Sequence, residues 1–239
     1  MLRQAVVLCA GKGKRMGELT AELPKAMLPV AGKPLIVHTV DKLFAAGFES
    51  VVLVVGHLAD QLEHLFCRTP GVQLVRQQSA LGTADALFAA RDVVDPQFLL
   101  TYGDLWFEDV DCQNLRQLSA NDHKQRIAVN RMERPRGAAV YIDGDRVRRI
   151  VEKLQWNGPP DAHWNASGLY ILDRELMADC QGVPRSARGE FELSSAIQRA
   201  IDRGAEFLSY KLIQPHTDIG EPERYRALCA SLSAAQSSS

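Results

Sequence analysis

Two kinds of hydrophobic spacing alternate along the first half of the chain. Gln4 to Cys9, Val51 to Val55, Val72 to Arg76 and Phe98 to Tyr102 are short, largely apolar runs closed by turn residues, as buried strands are. Between them, apolar residues return at helical intervals: Ile36, Val40, Leu43 and Phe44 within Pro34 to Gly47, then Leu58, Leu62, Leu65 and Phe66, then the segment Thr83 to Arg91. Pro34 suits a first helical turn, where its missing N–H costs nothing, and Gly47 suits a stop. This β-α-β-α order predicts an α/β fold: a doubly wound, Rossmann-like sheet with helices on both faces.

The second half changes texture. Arg126 to Asn130, Gly137 to Ile142 and Val147 to Lys153 are predicted strands set close together, with turn signals such as Asp143-Gly144 between them. Close spacing favours antiparallel pairing, so the sheet is expected to be mixed, with an antiparallel subregion appended. A loop, Asn157-Gly158-Pro159-Pro160, precedes a strand from Ser167 to Leu172. Phe191, Ala196, Ile197, Ala200 and Ile201 define a helix face ending near Gly204, and a last helix, Pro222 to Leu232, turns Tyr225, Leu228 and Leu232 inward. Residues 233–239 are expected to be a disordered tail. No repeat or linker divides the chain, so 1–232 reads as one domain.

Composition then narrows the function classes. The 239 residues carry 28 Lys+Arg against 29 Asp+Glu, a net charge of −1, which offers no whole-molecule reason to bind nucleic acid or an anionic membrane. No apolar run is long enough to span a bilayer, and the N-terminus lacks a small-residue cleavage site. The five cysteines are widely spaced, odd in number and without a CxxC pair, which argues against a disulfide framework and for a cytoplasmic setting.

Chemistry concentrates in Leu8-Cys9-Ala10-Gly11-Lys12-Gly13-Lys14-Arg15-Met16-Gly17. A strand opening into glycines interleaved with cations can wrap backbone N–H groups around a phosphate chain. Walker A fails, because Met16 or Glu18 stands where its second glycine belongs, and the dinucleotide fingerprint also fails at Met16. Leu23-Pro24-Lys25-Ala26-Met27-Leu28-Pro29-Val30 follows, with Lys25 set between a proline and an apolar stretch.

With that second element the sequence resembles the nucleotidyltransferase family that activates sugar 1-phosphates, whose opening signature is L-x-[AG]-G-x-G-x-R-[ML] followed by P-K. Leu8, Ala10, Gly11, Gly13, Arg15 and Met16 match, as do Pro24 and Lys25. The likeness continues through Gly82-Thr83-Ala84, Tyr102-Gly103-Asp104, Val151-Glu152-Lys153 and Asp218-Ile219-Gly220.

The resemblance implies attack of a phosphate monoester on the α-phosphorus of a nucleoside triphosphate, giving an NDP-sugar and pyrophosphate. It divides the domain into a nucleotide-binding half, 1–110, and an acceptor-binding half, 111–220. Ala10, Gly11 and Gly13 would cradle the triphosphate, joined by Gly82 and Thr83, and Arg15 would pair with the departing pyrophosphate. Lys25 would hold the α-phosphate and the incoming phosphate together. Asp104, at the carboxyl end of a strand where α/β sheets place ligands, and Asp218 would bind Mg²⁺. Gln77, five residues before Gly82, would read a pyrimidine edge, with Gln78 a rival one position on; this favours UTP. Gly137, Glu152 and Lys153 would line the acceptor pocket, Lys153 on the phosphate and Glu152 on hydroxyls.

Some positions depart from the family. Lys14 stands where Ser or Thr is usual, and Leu154 replaces a frequent proline. The strand Asn-Ala-Gly-Ile-Tyr appears as Ala166-Ser167-Gly168-Leu169-Tyr170, so the sugar-binding Asn position holds Ala166 and Asn165 is one residue early. A one-residue step flips a side chain to the other face, and no sugar contact is assigned to Asn165. These departures leave open cytidylyl or guanylyl transfer, acceptors such as heptose 1-phosphate or phosphocholine, and a non-catalytic nucleotide-sugar-binding protein. Longer members append a further C-terminal domain; here the catalytic domain is expected to use up the chain. Oligomeric state is not legible.

Overall fold

The computed structural model describes residues 2–132, 137–152, 163–214 and 216–237. The first apolar run forms β1 (Gln4–Leu8), buried at every position. A glycine-rich loop and two 3-10 turns, Lys14–Thr20 and Lys25–Met27, lead to a small ribbon of β2 (Pro29–Val30) and β3 (Lys33–Pro34). Helix α1 (Leu35–Ala45) then starts, with Pro34 capping it from just outside the first turn. Gly47 ends it at φ 89°, which lets the N–H groups of Gly47 and Phe48 return to the carbonyls of Phe44 and Leu43 at 2.9 and 3.1 Å. Next come β4 (Ser50–Val55), α2 (Ala59–Phe66), β5 (Val72–Arg76), α3 (Thr83–Ala89) and β6 (Gln97–Tyr102).

The second half contributes a ribbon strand β7 (Leu105–Trp106), α4 (Asp109–Asp122), β8 (Gln125–Asn130), β9 (Ala139–Asp143), β10 (Arg146–Val151) and the long β11 (Trp164–Asp173). It closes with α5 (Leu176–Gln181), α6 (Leu193–Asp202), β12 (Phe207–Lys211), β13 (Thr217–Asp218) and α7 (Pro222–Ser237). The main sheet runs β5-β4-β1-β6-β11-β8-β12-β10-β9. Strands β5, β4, β1 and β6 are parallel, β11 is antiparallel to both β6 and β8, and β9, β10 and β12 pair antiparallel in turn. The mixed, doubly wound sheet and its antiparallel subregion are as expected.

Alternation along the central strands builds two cores. Val6, Leu8, Val52, Val54, Phe98 and Leu100 face α3, α5 and α6, while Ala5, Val7, Val51, Leu53, Val55 and Leu99 face α1, α2 and α4. Each such Val, Leu or Phe contributes about 1.5–3 kcal/mol by leaving water. A third cluster joins α7 to the start of the chain: Met16, Leu28, Val30 and Leu35 pack with Ile219 and Leu228. No helix among the described residues is long and apolar enough to cross a membrane.

Three elements carry no clear hydrophobic signal. The inward stripe of α4 is Asp111, Cys112, Leu115 and Ser119, so polar residues occupy core positions and mask the helical period. Helix α5 is a short turn against α3 and α6, and β12 is fully buried only at Phe207. The expected tail is corrected as well. Helix α7 continues past Leu232 to Ser237, consistent with the good helix formers Ala234, Ala235 and Gln236. The predicted loop 157–160 lies outside the described residues.

Asp111 shows why α4 tolerates polar residues inside. Its Oδ1 accepts the Tyr210 hydroxyl at 2.8 Å and the Ile213 N–H at 3.0 Å, and its Oδ2 lies 3.4 Å from His216 Nε2. Asp111→Ala strands these donors in the interior and is expected to lower unfolding free energy by about 2–4 kcal/mol. Urea denaturation measures this, and an unchanged midpoint excludes the role.

Candidate active site

The carboxyl ends of the parallel strands open onto one cleft. At its floor β1 and β6 stay in contact beyond their ends, with Gly103 N–H donating to Leu8 O at 3.0 Å. A Cβ on Gly103 would lie 2.5 Å from Cys9 Sγ, so a glycine is needed there. Burial, and then the nearby Asp104 carboxylate, push the Cys9 thiol well above its ordinary range, which keeps it a neutral packing group.

The loop after β1 turns at Gly13, whose φ of 61° starts the 3-10 turn, and Thr20 Oγ1 donates to Gly13 O at 3.1 Å. The next 3-10 turn carries Lys25 inward, where its ammonium pairs with Asp104 Oδ2 while only 12% of its side chain is exposed. Asp104 follows Gly103 at the end of β6. Its carbonyl accepts Ile219 N–H at 3.0 Å, and β13 pairs with β7 so that Asp218 stands opposite Leu105. The two predicted metal carboxylates are thereby brought to one wall. Asp218 Oδ1 accepts Gly220 N–H at 2.5 Å and Oδ2 accepts Arg224 at 2.5 Å, while Arg224 also reaches Glu221 at 3.1 Å. Arg15 lies at the mouth, 3.8 Å from Glu221 and more than half exposed.

The cleft has two communicating chambers. One, of about 620 Å³, is lined by Ala10, Gly11, Gly13, Arg15 and Lys25 on one side and by Gln77, Gly82 and Thr83 on the other. The second, of about 280 Å³, is lined by residues including Gly137, Glu152, Asn165, Glu192 and Asp218. Thr83, Tyr102, Asp104 and Arg188 line both. Tyr102 meets Tyr170 edge to face at 6.3 Å, and burial pushes both phenols up, that of Tyr170 to about 12, so each stays neutral.

Gln77 is buried in the first chamber, whereas Gln78 is exposed and does not line it. Glu152 reaches the second chamber, accepting Arg188 and Ser194 Oγ at 3.0 Å each. Lys153 lies outside the described residues. Gly137 donates its N–H to Asn165 Oδ1 at 2.9 Å, and a Cβ there would lie 2.7 Å from Ala166 O. Asn165 does line this chamber. Its pairing with β8 shifts register between Ala166 and Tyr170, around Gly168 at φ 94°, so strict strand alternation does not govern this stretch. The Asn165 amide also donates to Asn130 Oδ1 at 2.9 Å.

Arg188 is the main residue missed by motif reading. It precedes α6 in a loop, donates to Glu192 at 2.8 Å and Glu152 at 3.0 Å, and sits where the chambers meet. An isolated loop arginine has no period to betray it; the only signal was the charged run Arg188-Gly189-Glu190-Phe191-Glu192 ahead of a helix.

Asp104 and Asp218 supply hard carboxylate oxygens on one wall, beside a chamber lined by Arg15 and Lys25. This donor set fits Mg²⁺, which takes few protein carboxylates and completes its shell with water and substrate oxygens. Among the described residues no group of three or more His, Cys, Asp or Glu is placed to hold a metal ion.

A family model described as nucleotidyl transferase matches residues 4–234, and the chain belongs to that family. It is 32% identical over 231 residues to the UTP–glucose-1-phosphate uridylyltransferase AglF of Haloferax volcanii, covering 92% of each chain. It is 30% identical over 218 residues to the bifunctional protein GlmU of Methanocaldococcus jannaschii, covering 91% of this chain and 51% of that one. The chain thus spans about half the length of the GlmU relatives. The fold matches a crystal structure of UDP-glucose pyrophosphorylase complexed with UDP-glucose, with a TM-score of 0.84, 19% identity and coverage of 98% of this chain and 100% of that one. The resemblance carried by the motifs is borne out for family and fold.

The approach of the Gly82 loop to α6 is testable. Gly82 takes φ 119°, and a Cβ there would lie 2.4 Å from Phe191 O. Across this contact Thr83 Oγ1 accepts Leu193 N–H at 2.9 Å. Gly82→Ala is expected to cost roughly 1–3 kcal/mol through strain at this joint. A thermal melt matching the unsubstituted protein would show that the joint relaxes freely.

Proposed function

We propose that the chain is a Mg²⁺-dependent nucleotidyltransferase that transfers a uridylyl group from UTP to a sugar 1-phosphate, releasing pyrophosphate. One observation carries the reading. Asp104, paired with Lys25, lies on the boundary between a glycine- and cation-lined chamber and a second chamber rich in hydrogen-bonding groups. The reacting phosphates of two substrates would meet there. The AglF relative is a UTP–glucose-1-phosphate uridylyltransferase matched over nearly the whole of either chain, which supports both substrates.

In this reading an oxygen of the acceptor phosphate forms a bond to the α-phosphorus of UTP, and the bond from that phosphorus to the bridging oxygen breaks. Pyrophosphate leaves with the electron pair. The nucleophile is already ionised, so no general base is needed, and positioning with charge neutralisation supplies the catalysis. Backbone N–H groups of Ala10, Gly11 and Gly13 hold the triphosphate. Arg15 faces the leaving pyrophosphate. Lys25 exchanges its carboxylate partner for the α-phosphate and the incoming phosphate, and Arg188 adds a second cation at the junction. Asp104 and Asp218 would hold Mg²⁺, which offsets phosphate charge when bound. Gln77 faces the nucleobase. Glu152, Gly137 and Lys153 serve the acceptor, Glu152 accepting from its hydroxyls.

The test is pyrophosphate release with UTP, dTTP, CTP and GTP, each against a panel of sugar 1-phosphates, heptose 1-phosphate and phosphocholine. UTP with a sugar 1-phosphate is expected to turn over fastest, and chelation of divalent cations is expected to abolish release until Mg²⁺ is restored. Release with no pair excludes the enzyme and leaves a nucleotide-sugar-binding protein. Asp104→Ala is expected to abolish turnover, and Arg188→Ala to lower kcat/KM by about 10²–10³. Normal rates in Asp104→Ala would remove that carboxylate from the metal site.

A further inference from the structure

The amide of Gln77 is not free to turn. Its Nε2 donates to Asp85 Oδ2 at 2.6 Å and to Gly82 O at 3.2 Å, and both partners are acceptors only. Both amide protons are thus committed to acceptors within the protein. The carbonyl oxygen is the atom left for a ligand, on a residue that lines the nucleotide chamber. Asp85 itself does not line that chamber; it lies in the first turn of α3, behind Gln77. A helix N-terminus accounts for a carboxylate at this position, but not for its bond to the amide.

We infer that Asp85 is a positioning residue for nucleobase choice: it holds the Gln77 amide with its carbonyl oxygen toward the base, so the site selects a pyrimidine that carries an N–H at N3. Uracil and thymine present that donor, whereas cytosine presents a bare ring nitrogen that meets the Gln77 oxygen as acceptor against acceptor. The bond to Asp85 is short and charge-assisted, so it restrains the amide more strongly than the longer bond to Gly82 O. A glutamine held by neutral partners alone can turn over and offer its N–H₂ to cytosine. This inference rests on the assignment of Gln77 to the nucleobase.

Calorimetric titration of the full chain with UTP and with CTP, in the presence of Mg²⁺, tests it without any acceptor. The unsubstituted protein is expected to bind UTP at least about tenfold more tightly than CTP. Asp85→Ala is expected to erase most of that ratio, partly by raising affinity for CTP, a gain that simple loss of structure does not produce. Asp85→Asn is expected to restore most of it, because the amide oxygen introduced by that substitution again accepts from Gln77. Circular dichroism monitors folding, and Asp85→Leu substitutes for Asp85→Ala if that variant does not fold. An unchanged ratio in Asp85→Ala, with a collapsed ratio in Gln77→Ala, overturns the positioning role and leaves the base-reading role of Gln77 standing. An unchanged ratio in both overturns the two together.

Discussion

The site depends on how closely β1 and β6 run at their carboxyl ends. Gly103 donates to Leu8 O while its bare Cα sits against Cys9, a contact that no larger residue allows without displacing the Cys9 side chain. Past this point the chains part, one into the glycine loop and the other into Asp104. Because they part from a shared, fully buried floor, the cation-bearing loop and the carboxylate face each other across a narrow cleft. The Asp104–Ile219 backbone bond and the β7–β13 ribbon then tie Asp218 to the same wall.

Electrostatics at the cleft follow from that proximity. A lysine as enclosed as Lys25 would be costly without a partner, and Asp104 supplies one. Asp218 is held by Arg224, and Glu152 and Glu192 share Arg188. These pairs cross the cleft or border it, so the charges destined for phosphates and metal in the proposed reaction already compensate one another. Substrate binding in that reading is an exchange of partners: phosphates take the cations, and Mg²⁺ takes the carboxylates that are released. Little of the interior has to reorganise, because the two cores on either side of the sheet are continuous and buried.

Much of the site was legible because it is local. Gly11, Gly13, Arg15 and Lys25 lie within one short stretch, where spacing and composition suffice to suggest a phosphate loop. Asp104 was legible from its place after a buried strand. Spacing to Gly82 favours Gln77 over Gln78, and the structure buries Gln77 in the first chamber while Gln78 is exposed. Arg188 was missed because it reaches the cleft through the packing of α6 against the Gly82 loop, and no sequence period records that contact. Helix α4 was missed for a related reason: Asp111 is an interior residue only because Tyr210 and Ile213 come from far along the chain to satisfy it. Strict alternation turns Asn165 away from the pocket, but the strand's register shifts between Ala166 and Tyr170, and Asn165 lines the second chamber.

The amino-acid sequence alone determined the α/β class, the order of the parallel strands' segments and the glycine- and cation-rich loop after β1, because those depend on neighbours a few residues apart. Tertiary structure decided which distant groups meet: Asp104 with Asp218, Arg188 at the junction of the chambers, and Asp85 behind Gln77. Side-chain partners separated by long stretches of chain are chosen by how helices dock on the sheet. That docking is set by the whole buried surface and not by any local pattern.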